Sequence, residues 1–538
     1  MATAAPGARA SAAPLPAEAS AGDTALLPVA NPVLLAVGIM TASLLQVLDS
    51  TIANVAIPHM RSSLGATSDE ISWVLTSYIV ASAVAMPITG WLADRIGSRR
   101  LFILSTAGFI LSSMLCGMAQ NLTQIVLFRA LQGITGAFIM PLSQAAMIDT
   151  NRPSRQPQMM AIWGMGIMIG PILGPILGGW LTENWSWRAV FYVNVPLGAL
   201  SLFLMITLLP SRPVARRKFD LTGFALLGTA LTALQLLLDR GSRIDWFASG
   251  EAWIYAVLAA STTWMATIHF FTAREPLFNR RLFADPNYVV AMAISIQLGV
   301  VMFATIALLP PMLQQLFGYS VIDTGMVLMP RGVGTLVSMQ LSGILIRKGV
   351  DARYMLAMGF SIAALSLWDM AGWSLAVDRP HIIWASLIQG LGMGLVFIPM
   401  NSMAFATLPP ELRTEGSSLL NLARSIGASV GIAVVTALLA SNLQVSHADL
   451  AANVTSSMIN AVDVSTIDRF QMVGTTVLST IDGIINQQAA MIAYINDFWL
   501  MMWLTIGSIP LVLLMKKADL RPPAHGAAAK TEAGDLPH

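Results

Sequence analysis

Apolar runs separated by short stretches of charged, Gly/Pro or Asn/Asp residues occupy most of the chain. Fourteen of them predict membrane-spanning helices, because about 20 apolar residues at 1.5 Å each cross roughly 30 Å of hydrocarbon. The first six lie near 33–57, 71–93, 101–119, 122–147, 158–182 and 188–210. Two more, near 221–240 and 252–273, follow the basic stretch Arg216, Arg217, Lys218. The last six lie near 288–309, 323–345, 353–377, 382–407, 415–440 and 496–515. Between the last two, residues 441–495 mix apolar and polar positions without a proline, which predicts one or two amphipathic helices. That segment serves either as a cap on the bundle or as a docking surface.

Composition agrees with this pattern. Of 538 residues, 55% are hydrophobic and 11% charged. A soluble globular chain carries about 25% charged residues, so that class is excluded. Mean hydropathy is +0.68. The net charge of +2 gives no reason to expect a nucleic-acid partner. A single cysteine, Cys116, excludes a disulfide framework and a cysteine-based zinc site. No phosphate-binding loop, metal-ligand cluster or nucleophile with a base is recognisable, so neither an enzyme nor a bound cofactor is expected.

Lys and Arg set the expected orientation. With the N-terminus in the cytoplasm, cytoplasmic segments hold 21 of them, external segments 6 and spans 3. Both termini are then cytoplasmic, residues 1–32 and 516–538 form disordered tails, and 441–495 lies outside.

An internal repeat predicts two lobes. Gln132-Gly133 matches Gln389-Gly390, and Gly170 and Gly174 match Gly427 and Gly431, each at an offset of 257. Gly90 to Arg100 has a degraded copy from Gly343 to Arg353. The expected domains are a six-helix lobe over 33–210, a two-helix insert over 211–280 and a second six-helix lobe over 281–515. Parallel repeats of this kind build a midplane site between two rocking halves.

Two motifs suit such rocking. The loop between spans two and three carries Gly90, Asp94, Arg95, Gly97, Arg99 and Arg100. There a small residue permits close approach, an acid can face a helix N-terminus, and the bases can reach acids or terminal carbonyls. A positive-inside anchor with a tight turn would account for the arginines but not for Gly90, Asp94 and Gly97. In span five, Gly166, Gly170, Pro171, Gly174, Pro175 and Gly178 form a smooth, bendable face, suited either to pivoting or to tight static packing.

Charges within spans are functional candidates because an unpaired charge in hydrocarbon is costly. They are Asp49, Arg129, Arg331, Asp369 and Arg424. Gln46, Asp49, Ser50 and Asn54 share an arc of about 140° in span one, and Arg129, Gln132, Gly133, Gly136 and Ser143 share a face of span four. At 1.5 Å per residue, Asp49 lies about 12 Å and Arg129 about 10 Å inside the external surface, so the two are level and can pair. Burial favours a protonated carboxyl and a nearby arginine favours an ionised one, so a change of pairing changes proton occupancy. Asp49 is therefore the expected proton carrier and Arg129 its switching partner; a permanent structural ion pair is the competing reading. Gln46, Asn54, Gln132, Gln297, Arg331, Gln389, Asn401 and Arg424 are the expected polar groups of a substrate cavity lined by spans one, four, nine and twelve. Three intramembrane arginines against two aspartates favour an anionic or weakly acidic solute. Asp369 is expected to be structural, and the positions of the six histidines give no proton relay.

Taken together, these motifs resemble the fourteen-span EmrB/QacA-type drug:proton antiporters of the major facilitator superfamily. The resemblance rests on Leu48 to Pro58, Gly90 to Arg100, Arg129 with Gln132-Gly133, and Gly166 to Gly179. Trp187-Arg188 with Phe191, Asn194-Val195-Pro196 and Leu408 to Glu411 add to it. It implies a major facilitator fold and proton-driven extrusion of lipophilic compounds. The long segment after span thirteen is similar to the EmrB branch, which implies the bacterial inner membrane, a periplasmic membrane-fusion adaptor and an outer-membrane channel. Arg331 departs from the family pattern. A proton-coupled importer and a transport-inactive scaffold or sensor are the alternatives; the Gly166 to Gly179 run opposes the first and the retained intramembrane charges oppose the second.

Overall fold

Asn31 caps the first helix by accepting from the Leu34 amide at 3.2 Å, with Pro32 at the first helical position, and Gly65 ends it in the left-handed conformation at φ 62°. Thr67 and Glu70 form a reciprocal capping box at the start of the second. Such local signals recur along the computed structural model, which describes residues 25–212, 214, 218–452 and 475–517. Most of the expected tails, with Arg216 and Arg217, lie outside the described residues.

Fourteen long helices and no strand are present among the described residues. In chain order they are α1 (Pro32–Leu64), α2 (Asp69–Ile96), α3 (Ser98–Met118), α4 (Leu122–Asp149), α5 (Pro153–Asn184), α6 (Ala189–Leu208), α7 (Leu221–Arg243), α8 (Gly250–Thr272) and α9 (Pro286–Gln315). Then follow α10 (Val321–Arg347), α11 (Ala352–Met370), α12 (Arg379–Ala406), α13 (Arg413–Ala452) and α14 (Thr475–Leu513). Twelve are long and apolar enough to cross a membrane; α10 and α11, of 27 and 19 residues, occupy the two remaining expected positions.

Helices α1 to α6 pack on one another, as do α9 to α14, while α7 lies against α2 and α8 against α7. Only 11% of the most apolar window of α8 is buried, and Trp264 and Phe271 on it are each 69% exposed, as suits a surface facing lipid. The segment 441–495 differs in form from separate amphipathic helices. Residues 441–452 continue α13 and residues 475–495 belong to α14, because no proline interrupts either stretch; 453–474 lie outside the described residues.

The repeated glycines perform the same task in both lobes. A Cβ on Gly133 of α4 would strike the Tyr78 carbonyl of α2, and one on Gly390 of α12 would strike the Arg331 carbonyl of α10. Gly170 and Gly174 of α5 meet Val47 and Thr51 of α1; Gly427 and Gly431 of α13 meet Ile296 and Val300 of α9. Backbones in hydrocarbon gain from such approach because apolar side chains find lipid as good a solvent as one another, leaving van der Waals fit to drive packing.

At the end bearing the Gly90 to Arg100 loop, the lobes are in contact. Asp149 at the end of α4 pairs with Arg212 and with Nη1 of Arg413, at 3.2 Å, from the opposite lobe. Ser418 Oγ donates to the Met86 carbonyl at 2.6 Å, and Glu415 sits where a Cβ on Gly90 would touch it. Gln144 Nε2 donates to Asn401 Oδ1 at 2.6 Å, and Asn421 and Ser417 donate to Gln144 Oε1 at 3.0 and 2.5 Å. Gly97, at φ 92°, makes the turn from α2 into α3, which a side chain would strain.

Gly390→Ala should destabilise the fold by about 1–3 kcal/mol, since neither backbone can yield easily. Gly179→Ala, with nothing within 4 Å of the added carbon, should be neutral or slightly stabilising. Melting curves of the two purified variants in detergent provide the comparison; equal melting temperatures would contradict the packing role of Gly390.

Candidate functional site

A polar cluster inside the first lobe centres on Asp49, which is 1% exposed. Its Oδ2 receives Arg129 Nη1 at 2.6 Å, and its Oδ1 receives Gln132 Nε2 at 2.9 Å and Asn194 Nδ2 at 2.8 Å. Arg129, 0% exposed, also donates from Nη1 to Gln132 Oε1 at 2.8 Å and from Nε to the Val74 carbonyl at 3.2 Å. Its guanidinium lies 4.4 Å from the Tyr78 ring centroid and 5.7 Å from that of Phe191. Asn194 is held by a second bond to Ser113 Oγ at 2.9 Å, and Ser113 donates to the Phe191 carbonyl at 3.0 Å.

The helices explain the convergence. Gly133 lets α4 close on α2, which aims Arg129 under the Val74 carbonyl, and Arg129 and Gln132 point the same way because residues three apart share a helix face. On the other side, the smooth face of α5 presses against α1 immediately around Asp49. A Cβ on Gly166 would come within 2.7 Å of Met40 and one on Gly170 within 2.8 Å of Val47; Gly178 faces Ile52. The Gly166 to Gly178 stripe therefore packs on the helix that carries the acid. Pro171 and Pro175 lie inside α5 without ending it.

A buried ion pair is stable only when its remaining hydrogen-bonding positions are filled, and removal of one partner strands a charge. Here three donors from two helices saturate one carboxylate.

The other expected site residues lie apart from this centre. Arg331 of α10 donates to the Met302 carbonyl at 3.2 Å, and Arg424 of α13 donates to Asn421 Oδ1 at 3.3 Å with its guanidinium 4.8 Å from the Phe397 ring centroid. Neither has an acidic partner among the described residues, and Nε and Nη2 of Arg424 are buried without any. Gln389 Nε2 donates to Thr305 Oγ1 at 3.3 Å, leaving its Oε1 unpartnered; Gln46 Oε1 and Gln297 Nε2 are likewise buried and unpartnered. Asn401 belongs to the contact between lobes, and Asn54 is exposed. In the Gly90 to Arg100 loop, Arg99 donates to the Ile206 carbonyl at 2.6 Å and Arg95 stacks over Trp91 at 5.4 Å, whereas Arg100 is exposed.

Asp369 is half-exposed, accepts from Trp373 Nε1 at 3.3 Å and lies 3.0 Å from His381 Nε2, in keeping with a structural role at the end of α11. Three residues were not anticipated as part of a site. Asn194 lies near the start of α6, where a boundary asparagine reads as a cap. Gln144 contacts Asn401, 257 positions later, and that separation is the repeat offset itself. Asp497, 0% exposed with neither oxygen hydrogen-bonded, falls near the edge of a span placed at 496–515, whereas α14 begins at Thr475.

Comparison with known proteins agrees with this architecture. Residues 39–432 match the Major Facilitator Superfamily. The chain is 33% identical over 432 residues to the multidrug export protein EmrB of Escherichia coli (strain K12), covering 80% of this chain and 84% of that protein. It is 34% identical over 496 residues to the fatty acid resistance protein FarB of Neisseria gonorrhoeae, covering 90% and 95%. The crystal structure of the human organic anion transporter MFSD10 superposes with a TM-score of 0.55 at 15% identity, covering 88% of this chain and 99% of that one, which shows a shared fold. With its paired lobes, its repeat and these relatives, the chain belongs to the major facilitator superfamily, in the EmrB-like branch of multidrug export proteins.

Proposed function

We propose that the protein exports lipophilic, weakly acidic compounds in exchange for protons, driven by the proton gradient across the bacterial inner membrane. The observation that carries this reading is the saturated Asp49–Arg129 pair at 2.6 Å, buried in a multi-pass membrane protein of an export family. In the cycle, Asp49 takes up a proton when the cavity opens outward, Arg129 loses its counter-charge, and the lobes rearrange. Release of the proton to the cytoplasm restores the pair. The contacts of Asp149, Glu415 and Gln144 close one end in this conformer, and the positive-inside bias assigns that end to the cytoplasm.

Two arginines without acids, Arg331 and Arg424, favour an acidic solute electrostatically. The name of the FarB relative, a fatty acid resistance protein, agrees with that class. The continuation of α13 to Ala452 and the start of α14 at Thr475 carry helix beyond the length a bilayer requires. That extension supports capture of a periplasmic membrane-fusion adaptor and, through it, an outer-membrane channel. Both termini are then cytoplasmic.

Asp49→Asn should reduce proton-driven export in reconstituted vesicles to the passive background while substrate binding persists without a gradient. An asparagine amide would face the Gln132 and Asn194 amides, so a stability loss of about 1–3 kcal/mol accompanies the change. Export at the wild-type rate would refute Asp49 as the coupling site. Replacing residues 441–480, which reach into both helical extensions, by a flexible linker should weaken adaptor capture but leave vesicle export intact, read by co-purification and by flux.

A further inference from the structure

The two lobes share a set of matched positions that can be read from their backbone contacts. Gly133 meets the Tyr78 carbonyl as Gly390 meets that of Arg331, and Gly170 meets Val47 as Gly427 meets Ile296. Carried along each helix, these pairs place Gln389 opposite Gln132, Arg331 opposite Tyr78 and Leu298 opposite Asp49.

The chemistry at those positions is not matched. In the first lobe one arginine, one glutamine and one carboxylate saturate each other. In the second lobe the glutamine remains, Ser386 stands at the position of Arg129, the acid is replaced by Leu298, which is 1% exposed, and an arginine, Arg331, enters from the helix that corresponds to the one carrying Tyr78 in the first lobe. Among the described residues Arg331 has the Met302 carbonyl at 3.2 Å and no acid, and Gln389, 0% exposed, has Nε2 on Thr305 and Oε1 unpartnered. Both reach the same stretch of α9, at Met302 and Thr305, about one helical turn apart. Ser386, one turn from Gln389 on α12 and also 0% exposed, has a hydroxyl without a partner. Two buried polar side chains, Gln389 and Ser386, thus each keep an atom without a partner near an arginine that has no acidic partner among the described residues.

We propose that Arg331, with the Ser386 hydroxyl beside it as a second donor, forms a subsite for the carboxylate of a lipophilic organic acid, the substrate supplying a negative charge such as Asp49 supplies in the other lobe. The inference rests on the export reading and gives its anionic substrate a location. Val301 of α9, one turn from Thr305, and Met393 of α12, one turn from Gln389, are buried and apolar, suiting a carboxylate on a hydrocarbon or aromatic body. Arginine suits the role because its planar fork binds a carboxylate through two parallel hydrogen bonds. The two lobes then divide the work: a proton is exchanged on Asp49, and an anion is held by Arg331.

Equilibrium binding to the full chain in phosphatidylcholine nanodiscs tests this without a proton gradient. Probes are decanoic acid and its primary amide at a pH where the acid is ionised. The wild type should bind the carboxylate roughly 10-fold to 100-fold more tightly than the amide, the factor expected of a charge-assisted hydrogen bond. Arg331→Gln should remove that preference while leaving amide affinity unchanged, and Arg331→Lys should keep part of it. Equal affinities in the wild type would overturn the proposal even if Arg331→Gln fails to fold. A preference that survives Arg331→Gln would also overturn it, as would displacement of decanoate by added phosphatidylglycerol, which would assign the site to a lipid headgroup. A carboxylate preference without proton-driven export would refute the coupling reading and leave this subsite standing.

Discussion

In a medium without water, each polar group must find its partner within the protein, and the Asp49–Arg129 pair is where that requirement is most severe. Meeting it draws on five helices, among them α2, whose Val74 carbonyl accepts from Arg129 Nε. α1 provides the acid, α4 the arginine and Gln132, α6 provides Asn194, and α3 provides the Ser113 hydroxyl that fixes Asn194. The glycines of α4 and α5 make this possible by bringing backbones together until short side chains meet. Removing the charge would therefore loosen contacts among several helices of the lobe at once.

The duplicated glycines show that the shape of a lobe and its chemistry are separable. Gly133 and Gly390 perform the same close approach, yet one supports a neutral ion pair and the other an arginine with no acid. Packing constraints apply to both lobes alike because both must exclude lipid from between their helices. Charge placement is not fixed by that packing, so it is free to diverge between the lobes.

Much of this was legible in the sequence. Long apolar runs gave the helices, since the hydrocarbon thickness leaves few alternatives, and a polar arc on α1 level with Arg129 gave the central pair. Asn194 was hidden because its role depends on α6 returning beside α1, a relation that no local pattern contains. The extended ends of α13 and α14 were missed for a different reason. Hydropathy marks where a helix enters lipid and says nothing of where its hydrogen bonding stops, so these turns read as one or two separate amphipathic helices. Asp497 was lost with them, having been placed at a boundary when it lies well inside α14.

Gln144 and Asn401 are separated by the repeat offset and are bonded to one another. A residue that meets its own duplicate must lie close to the pseudo-twofold axis relating the halves. Such a contact belongs equally to both halves, since each contributes the same position of its own repeat. This amide pair is therefore a clasp with two matching leaves, and any separation of the halves at this end would have to break it.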